Sequence, residues 1–175
     1  MENQTTTPKQ IMLNYGLILG FISILISVAN YAVGDIYTPH WSMTVIGLIV
    51  PIVFIVLGLK KLKELNGGFL KLGESLKIGL GIALISGIIF MIYFFAFTNF
   101  VETEFYVRAL EVKEQAVLEA YPNFTDEQLE ATMAMQEKTN NPTFTSAFIL
   151  IFNLFYGFIV ALIAGLIMKK TQEED

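Results

Sequence analysis

Apolar residues along this chain gather into four blocks separated by polar segments. Residues 11–33, 42–59, 78–100 and 144–168 contain no Asp, Glu, Lys, Arg or His, and they run 23, 18, 23 and 25 residues. A helix rises about 1.5 Å per residue and a bilayer's hydrocarbon core is roughly 30 Å thick, so about 20 residues cross it. In lipid every peptide group must be paired within the protein, which leaves helices or closed barrels. Barrel strands alternate apolar and polar positions; these blocks are apolar all round. The pattern predicts an all-α, polytopic membrane protein with four transmembrane helices in one membrane domain, 1–175. The first block exceeds the roughly 7–15 apolar residues of a secretory signal. Its leader carries Lys9 as the only cation, so it reads as a retained span, although Ser27-Val28-Ala29 offers a small-x-small triplet.

The one long polar segment, 101–143, has its own period. Phe105, Ala109, Val112, Ala116 and Ala120 form an apolar stripe, and Glu104, Arg108, Glu111, Gln115 and Glu119 lie opposite. Spacings of three and four put each set on one helix face. Glu104 and Arg108 are an i,i+4 ion pair in the favourable order. Pro122 and Asn123 break this helix. Thr125 followed by Gln128 is a capping box, which predicts a second helix from Asp126 to about Lys138, ended by Asn140-Asn141-Pro142. The segment is expected to be a helical hairpin between the third and fourth spans.

Charge sets the expected orientation. The stretch before the first span, the 60–77 loop and the C-terminal tail hold eight Lys and Arg residues between them, whereas 34–41 and 101–143 hold three. The positive-inside rule then puts both termini and the 60–77 loop in the cytoplasm and 101–143 outside. The outer segment carries nine acids and three bases, a solvated face that keeps it off anionic headgroups. In the basic loop, Asn66-Gly67-Gly68 is a turn and helix stop. Phe69, Leu70, Leu72 and Leu76 with Lys71 and Lys77 then read as an interfacial stretch against anionic lipid.

Composition narrows the chemistry. Charged residues are 15% of the chain, against roughly 25% in soluble domains. Cysteine is absent and His40 is the single histidine, which removes disulfides, thiolate sites and histidine clusters within one chain. Net charge is -5, so nothing favours nucleic acid. No EF-hand spacing occurs. Met133 and Met135, two apart, read as gap-fillers rather than metal ligands. Asn123-Phe124-Thr125 is a glycosylation sequon only in a secretory eukaryotic setting. Glu102 and Glu104 read as solvated acids.

Within the spans the organised feature is small residues four apart: Gly16 and Gly20, then Gly79, Ala83 and Gly87, then Gly157, Ala161 and Gly165. Such stripes let helix backbones approach closely; whether they pair within one chain or between chains is open at this point. Asn153 is the deepest amide and is expected to bond a neighbouring helix. Pro51 should loosen the second span near Gly47.

Several of these stretches carry a resemblance. Asn14-Tyr15-Gly16, Leu57-Gly58-Leu59-Lys60-Lys61, Asn66-Gly67-Gly68-Phe69, Leu76-Lys77-Ile78-Gly79-Leu80, the Thr-Asp-Glu-Gln helix start and the final Lys169-Lys170 resemble the bacterial membrane family known as domain of unknown function 4199. The resemblance covers nearly the whole chain and implies a four-helix architecture and a bacterial inner-membrane address, without catalytic residues. Together these readings anticipate a non-enzymatic integral membrane protein without cofactor, in contact with the lipid bilayer. It would act through helix association, as a homo-oligomer or with a membrane partner, in a scaffold or accessory role. The alternative is an oligomeric pore or small-solute transporter.

Overall fold

The computed structural model describes residues 7–170, and the chain ends, 1–6 and 171–175, lie outside the described residues. Among the described residues six helices follow in order: α1 (Pro8–Val33), α2 (Trp41–Leu65), α3 (Leu72–Phe100), α4 (Phe105–Ala120), α5 (Asp126–Thr139) and α6 (Pro142–Met168). Four of them, α1, α2, α3 and α6, are long and apolar enough to cross a membrane. α2 is longer than its apolar block, because Lys60 to Leu65 continue the helix before the glycine turn. Gly67 and Gly68 there take φ of 64° and 92°, a left-handed backbone that glycine adopts without a Cβ clash.

The starts are capped by local side chains. Thr7 and Gln10 exchange bonds around Pro8, and Thr125 and Gln128 do the same at α5. Asn141 Oδ1 accepts from Phe144 N at 2.9 Å. Pro142 therefore opens α6 at N1, where its missing N–H costs nothing. His40 Nδ1 accepts from Ser42 N at 3.4 Å and caps α2.

α3 is central and packs on α1, α2 and α6. Its two glycine-lined faces differ. Toward α1 the helices run parallel, with Gly16 under Ile85 and Gly20 under Ile89; a Cβ on either glycine would sit 2.8 or 2.9 Å from the isoleucine Cβ. Toward α6 they run antiparallel in four-residue steps. Gly165 meets Ser75, Ala161 meets Gly79, Gly157 meets Ala83, and Asn153 meets Gly87. The small residues of α3 and α6 thus face one another within the chain. Close approach accumulates dispersion contacts that lipid cannot supply.

The core is lopsided. α2 buries Ile55, Gly58, Leu59 and Leu62, all after Pro51, and α6 buries nothing before Gly157. Both helices pack tightly at the end carrying the lysines, the basic end, and bury nothing toward the end carrying α4 and α5, the acidic end. At the basic end Leu70 and Lys170 exchange backbone bonds of 2.9 and 3.1 Å. Lys63 Nζ donates to the C-terminal carbonyl of Met168 at 2.7 Å, a cation capping a helix C-terminus. Leu70 is fully buried, so the expected interfacial stretch is instead anchored in the core at that residue.

Outward faces of the long helices are apolar. Phe21, Leu25, Ile92, Ile151 and Phe155 are each 60% or more exposed. The most apolar 18-residue windows are only 17 to 28% buried. Water would leave these surfaces as contiguous apolar patches far larger than a soluble monomer carries. α4 and α5 pack against each other and bury no residue fully. Phe105, Ala109 and Val112 of the α4 stripe are half-buried, while Ala116 and Ala120 are exposed.

Candidate functional site

Toward the acidic end, where α2 and α6 bury no residue, a cavity of about 380 Å3 remains among the four long helices. This lies within the roughly 300–1,000 Å3 typical of ligand pockets. α1 contributes Ser23, Ser27 and Asn30; α3 contributes Ser86 and Phe90. α2 lines it from Met43 to Pro51, and α6 with Phe148, Phe152, Asn153 and Tyr156. Thr44, Gly47, Leu48, Phe148 and Phe152 are exposed, so the cavity opens to the surface along α2 and α6. Its wall is mainly hydrocarbon and aromatic, and none of its lining residues carries a formal charge.

Pro51 shapes the α2 wall. It has no N–H for the Gly47 carbonyl, and its ring crowds that turn. The next carbonyl, of Leu48, accepts the Tyr156 hydroxyl of α6 at 2.7 Å. One bond therefore ties α6 to the loosened turn of α2 across the cavity mouth. Tyr156 lies in an apolar run, and its role leaves no mark in spacing; Pro51 frees the Gly47 carbonyl, one residue before the one Tyr156 reaches.

Asn153 does not bond a neighbouring helix. Its Nδ2 donates to Ile149 O of its own helix at 2.8 Å, because the facing residue is Gly87, which offers no side chain. Its Cβ would lie 3.2 Å from a Cβ built on Gly87. Ser86 likewise turns inward and donates to Ala83 O at 3.2 Å. Of the other sequence-derived candidates, Gly16, Gly20, Gly79, Ala83, Gly157, Ala161 and Gly165 lie in the packed contacts, away from the cavity lining.

Above the cavity, at the acidic end, Glu102 is the hub of a polar cluster. Its carboxylate accepts from Tyr37 Oη at 3.0 Å and Tyr31 Oη at 3.2 Å. Arg108 Nη1 stands 3.4 Å away, and the Glu102 side chain is only 12% exposed. Glu102 is thus not the solvated acid its position suggests; the residues that enclose it come from α1, the 34–40 connection and α4. Glu104 is solvated, and Arg108 Nη2 donates to it at 2.8 Å. The hydrogen bond from Arg108 to Glu104 and the Glu102 charge raise the Arg108 pKa. Desolvation, followed by the bond to Glu102, pushes the Tyr37 phenol up to about 12. Asp35 is held below its ordinary value by bonds from Thr38 Oγ1 and Tyr37 N. Tyr37 also stacks on Phe105 at 5.5 Å.

A second hollow of about 350 Å3 lies beneath α4, between Tyr37, Phe105, Val112 and the first turns of α6. Phe148 lines both hollows. Asn140 Nδ2 donates to Tyr106 O and pins the α5–α6 junction to α4.

The molecule is thus all-α, with four bilayer-length helices, a neutral side cavity and an acidic end clamped through Glu102. The chain belongs to the family described as Protein of unknown function (DUF4199), whose model matches residues 14–170. No curated protein and no solved structure matches it.

Proposed function

We propose that this protein is a non-enzymatic, multi-pass protein of the bacterial inner membrane that acts by binding, as an accessory subunit or scaffold. The cavity between α2 and α6 is its point of engagement. Both termini and the 60–77 segment face the cytoplasm, and α4 with α5 lies outside, in keeping with the lysine distribution. The observation that carries the reading is the lopsided core: the basic end is packed and latched, while the acidic end holds an uncharged cavity open to the surface. The single histidine caps a helix through Nδ1, and Glu102 accepts bonds from two tyrosines beside an arginine; these structural roles support the non-enzymatic reading. The small-residue stripes of α3 and α6 face each other, and that of α1 packs under Ile85 and Ile89, all inside one chain, so association with a partner draws on the cavity and the outer faces.

The test is crosslinking from the cavity mouth in native membranes. A photoreactive residue at Leu48 or Phe152 should capture a discrete protein, lipid or small-molecule adduct that one at Phe21, on the opposite lipid-facing surface, does not. Identical adduct patterns at these positions would remove the reading. A reporter fused at residue 125 should be active only outside the cytoplasm.

The alternative is a pore or small-solute transporter, and the same cavity favours it. Leu19, Leu59 and Ile82, each 2% exposed or less, close the route toward the basic end. Transport would therefore require that packed half to part, and solute flux in reconstituted vesicles distinguishes the two.

A further inference from the structure

The hydrogen bonds of four polar side chains in the cavity wall constrain what it accepts beside them. Ser23 spends its hydroxyl proton on Leu19 O at 2.9 Å, Ser86 on Ala83 O at 3.2 Å and Tyr156 on Leu48 O at 2.7 Å. Asn153 spends one of its two N–H groups on Ile149 O at 2.8 Å. A hydroxyl has one donor and two lone pairs, and an amide oxygen two lone pairs. These four side chains, from α1, α3 and α6, therefore meet the cavity mainly as acceptors, whereas Ser27, Asn30 and Thr44, which line it nearer the acidic end, keep donors of their own; Ser27 Oγ accepts from Tyr93 Oη at 3.4 Å. The surrounding wall is aliphatic and aromatic, with Phe90 and Phe152 among its rings. A formally charged guest would lose its hydration without gaining a counter-charge, which is costly away from water.

We infer that the cavity binds a neutral molecule with a hydrocarbon body and a hydrogen-bond-donating group, an aliphatic alcohol or a primary or secondary amide. The donor lies against the Ser23, Ser86, Asn153 and Tyr156 oxygens. The hydrocarbon fills the space toward α2 and leaves through the opening between α2 and α6, so the guest arrives from the lipid phase. This inference rests on the binding reading above and adds the polarity of the ligand: the acceptor oxygens of Ser23, Ser86, Asn153 and Tyr156 favour alcohols over ethers of the same size.

The test uses the full-length protein in lipid nanodiscs and a diazirine-bearing 1-decanol as photoprobe. Its adducts should map to cavity residues of α2, α3 and α6. Unlabelled 1-decanol should compete about tenfold better than methyl decyl ether, the value of one hydrogen bond worth about 1.4 kcal/mol. Ser86→Ala should narrow that ratio. Gly47→Phe should abolish cavity labelling, since Gly47 lines the cavity and a Cβ there meets nothing within 4 Å. Each variant is first shown to keep the wild-type thermal transition; if Ser86→Ala does not, Ser23→Ala, which removes another acceptor oxygen of the same wall, replaces it. Labelling confined to the cavity but competed equally by alcohol and ether overturns the donor requirement and leaves the binding reading standing. Labelling spread over the lipid-facing surface, or indifferent to Gly47→Phe, overturns both.

Discussion

The Glu102 carboxylate accepts the Tyr37 hydroxyl at 3.0 Å, across 65 residues of sequence. That bond joins the connection between α1 and α2 to the end of α3, directly over the open half of the bundle. With Tyr31 and Arg108 on the same carboxylate, one acid organises three segments that α2 and α6 leave unsupported. Glu102→Ala removes the common acceptor and leaves two phenols and a guanidinium without it. The expected loss is about 1–3 kcal/mol, read as a lowered thermal transition in detergent. Glu104→Ala, at a solvated carboxylate, should cost under about 1 kcal/mol.

Tyr37 makes this clamp sensitive to alkali. Its folded pKa is raised to about 12, above the ordinary value near 10, so the native state holds the phenolic proton more tightly than the unfolded chain. The stabilisation is complete below about pH 10 and is lost as pH climbs from about 10 toward 12. A spectrophotometric tyrosine titration should show one phenol ionising near pH 12 that is missing in Tyr37→Phe. Equal titration curves for the two proteins would refute the assignment.

Glycines of the long helices divide into two kinds. A Cβ on Gly79 collides with Ala161, whereas one on Gly47 meets nothing within 4 Å. Gly79→Leu should force α3 and α6 apart and destabilise by about 1–3 kcal/mol or more. Gly47→Ala should be neutral or gain up to about 1 kcal/mol from helix propensity. Urea or thermal unfolding of the two variants in the same detergent checks both signs.

Tyr156→Phe keeps the ring and deletes the donor to Leu48 O. Interhelical hydrogen bonds in membranes are worth about 0.6–2 kcal/mol, so a modest loss of stability is expected. Crosslinking between cysteines placed at positions 45 and 152 should become less uniform as the α2 turn before Pro51 loses its tie. An unchanged crosslinking profile would show that α2 holds its position without that bond.

Local features of the fold are legible in the amino-acid order. Four uncharged blocks mark the long helices. Thr125 and Gln128 mark the start of α5, and Glu104 with Arg108 form the expected pair, because each depends on residues three or four apart. What escapes depends on distant partners. Glu102 reads as an exposed acid until Tyr31 and Tyr37 are brought to it by folding. Asn153 reads as an interhelical donor until Gly87 proves to be its neighbour. Leu70 reads as lipid-facing until Lys170 pairs with its backbone. The cavity itself has no sequence mark, since it arises from where α2 and α6 stop burying residues, and composition does not record that.

The reciprocal fit of Gly79, Ala83 and Gly87 against Ala161, Gly157 and Asn153 also governs how the chain can be made. Three of the four long helices leave the ribosome before their central member has a cover for its barest face. Until the sixth helix follows, that groove has no α6 side chains to fill it. A stop codon upstream of residue 157 therefore yields a chain in which Gly79 and Ala83 lack the Ala161 and Gly157 that they meet in the complete fold.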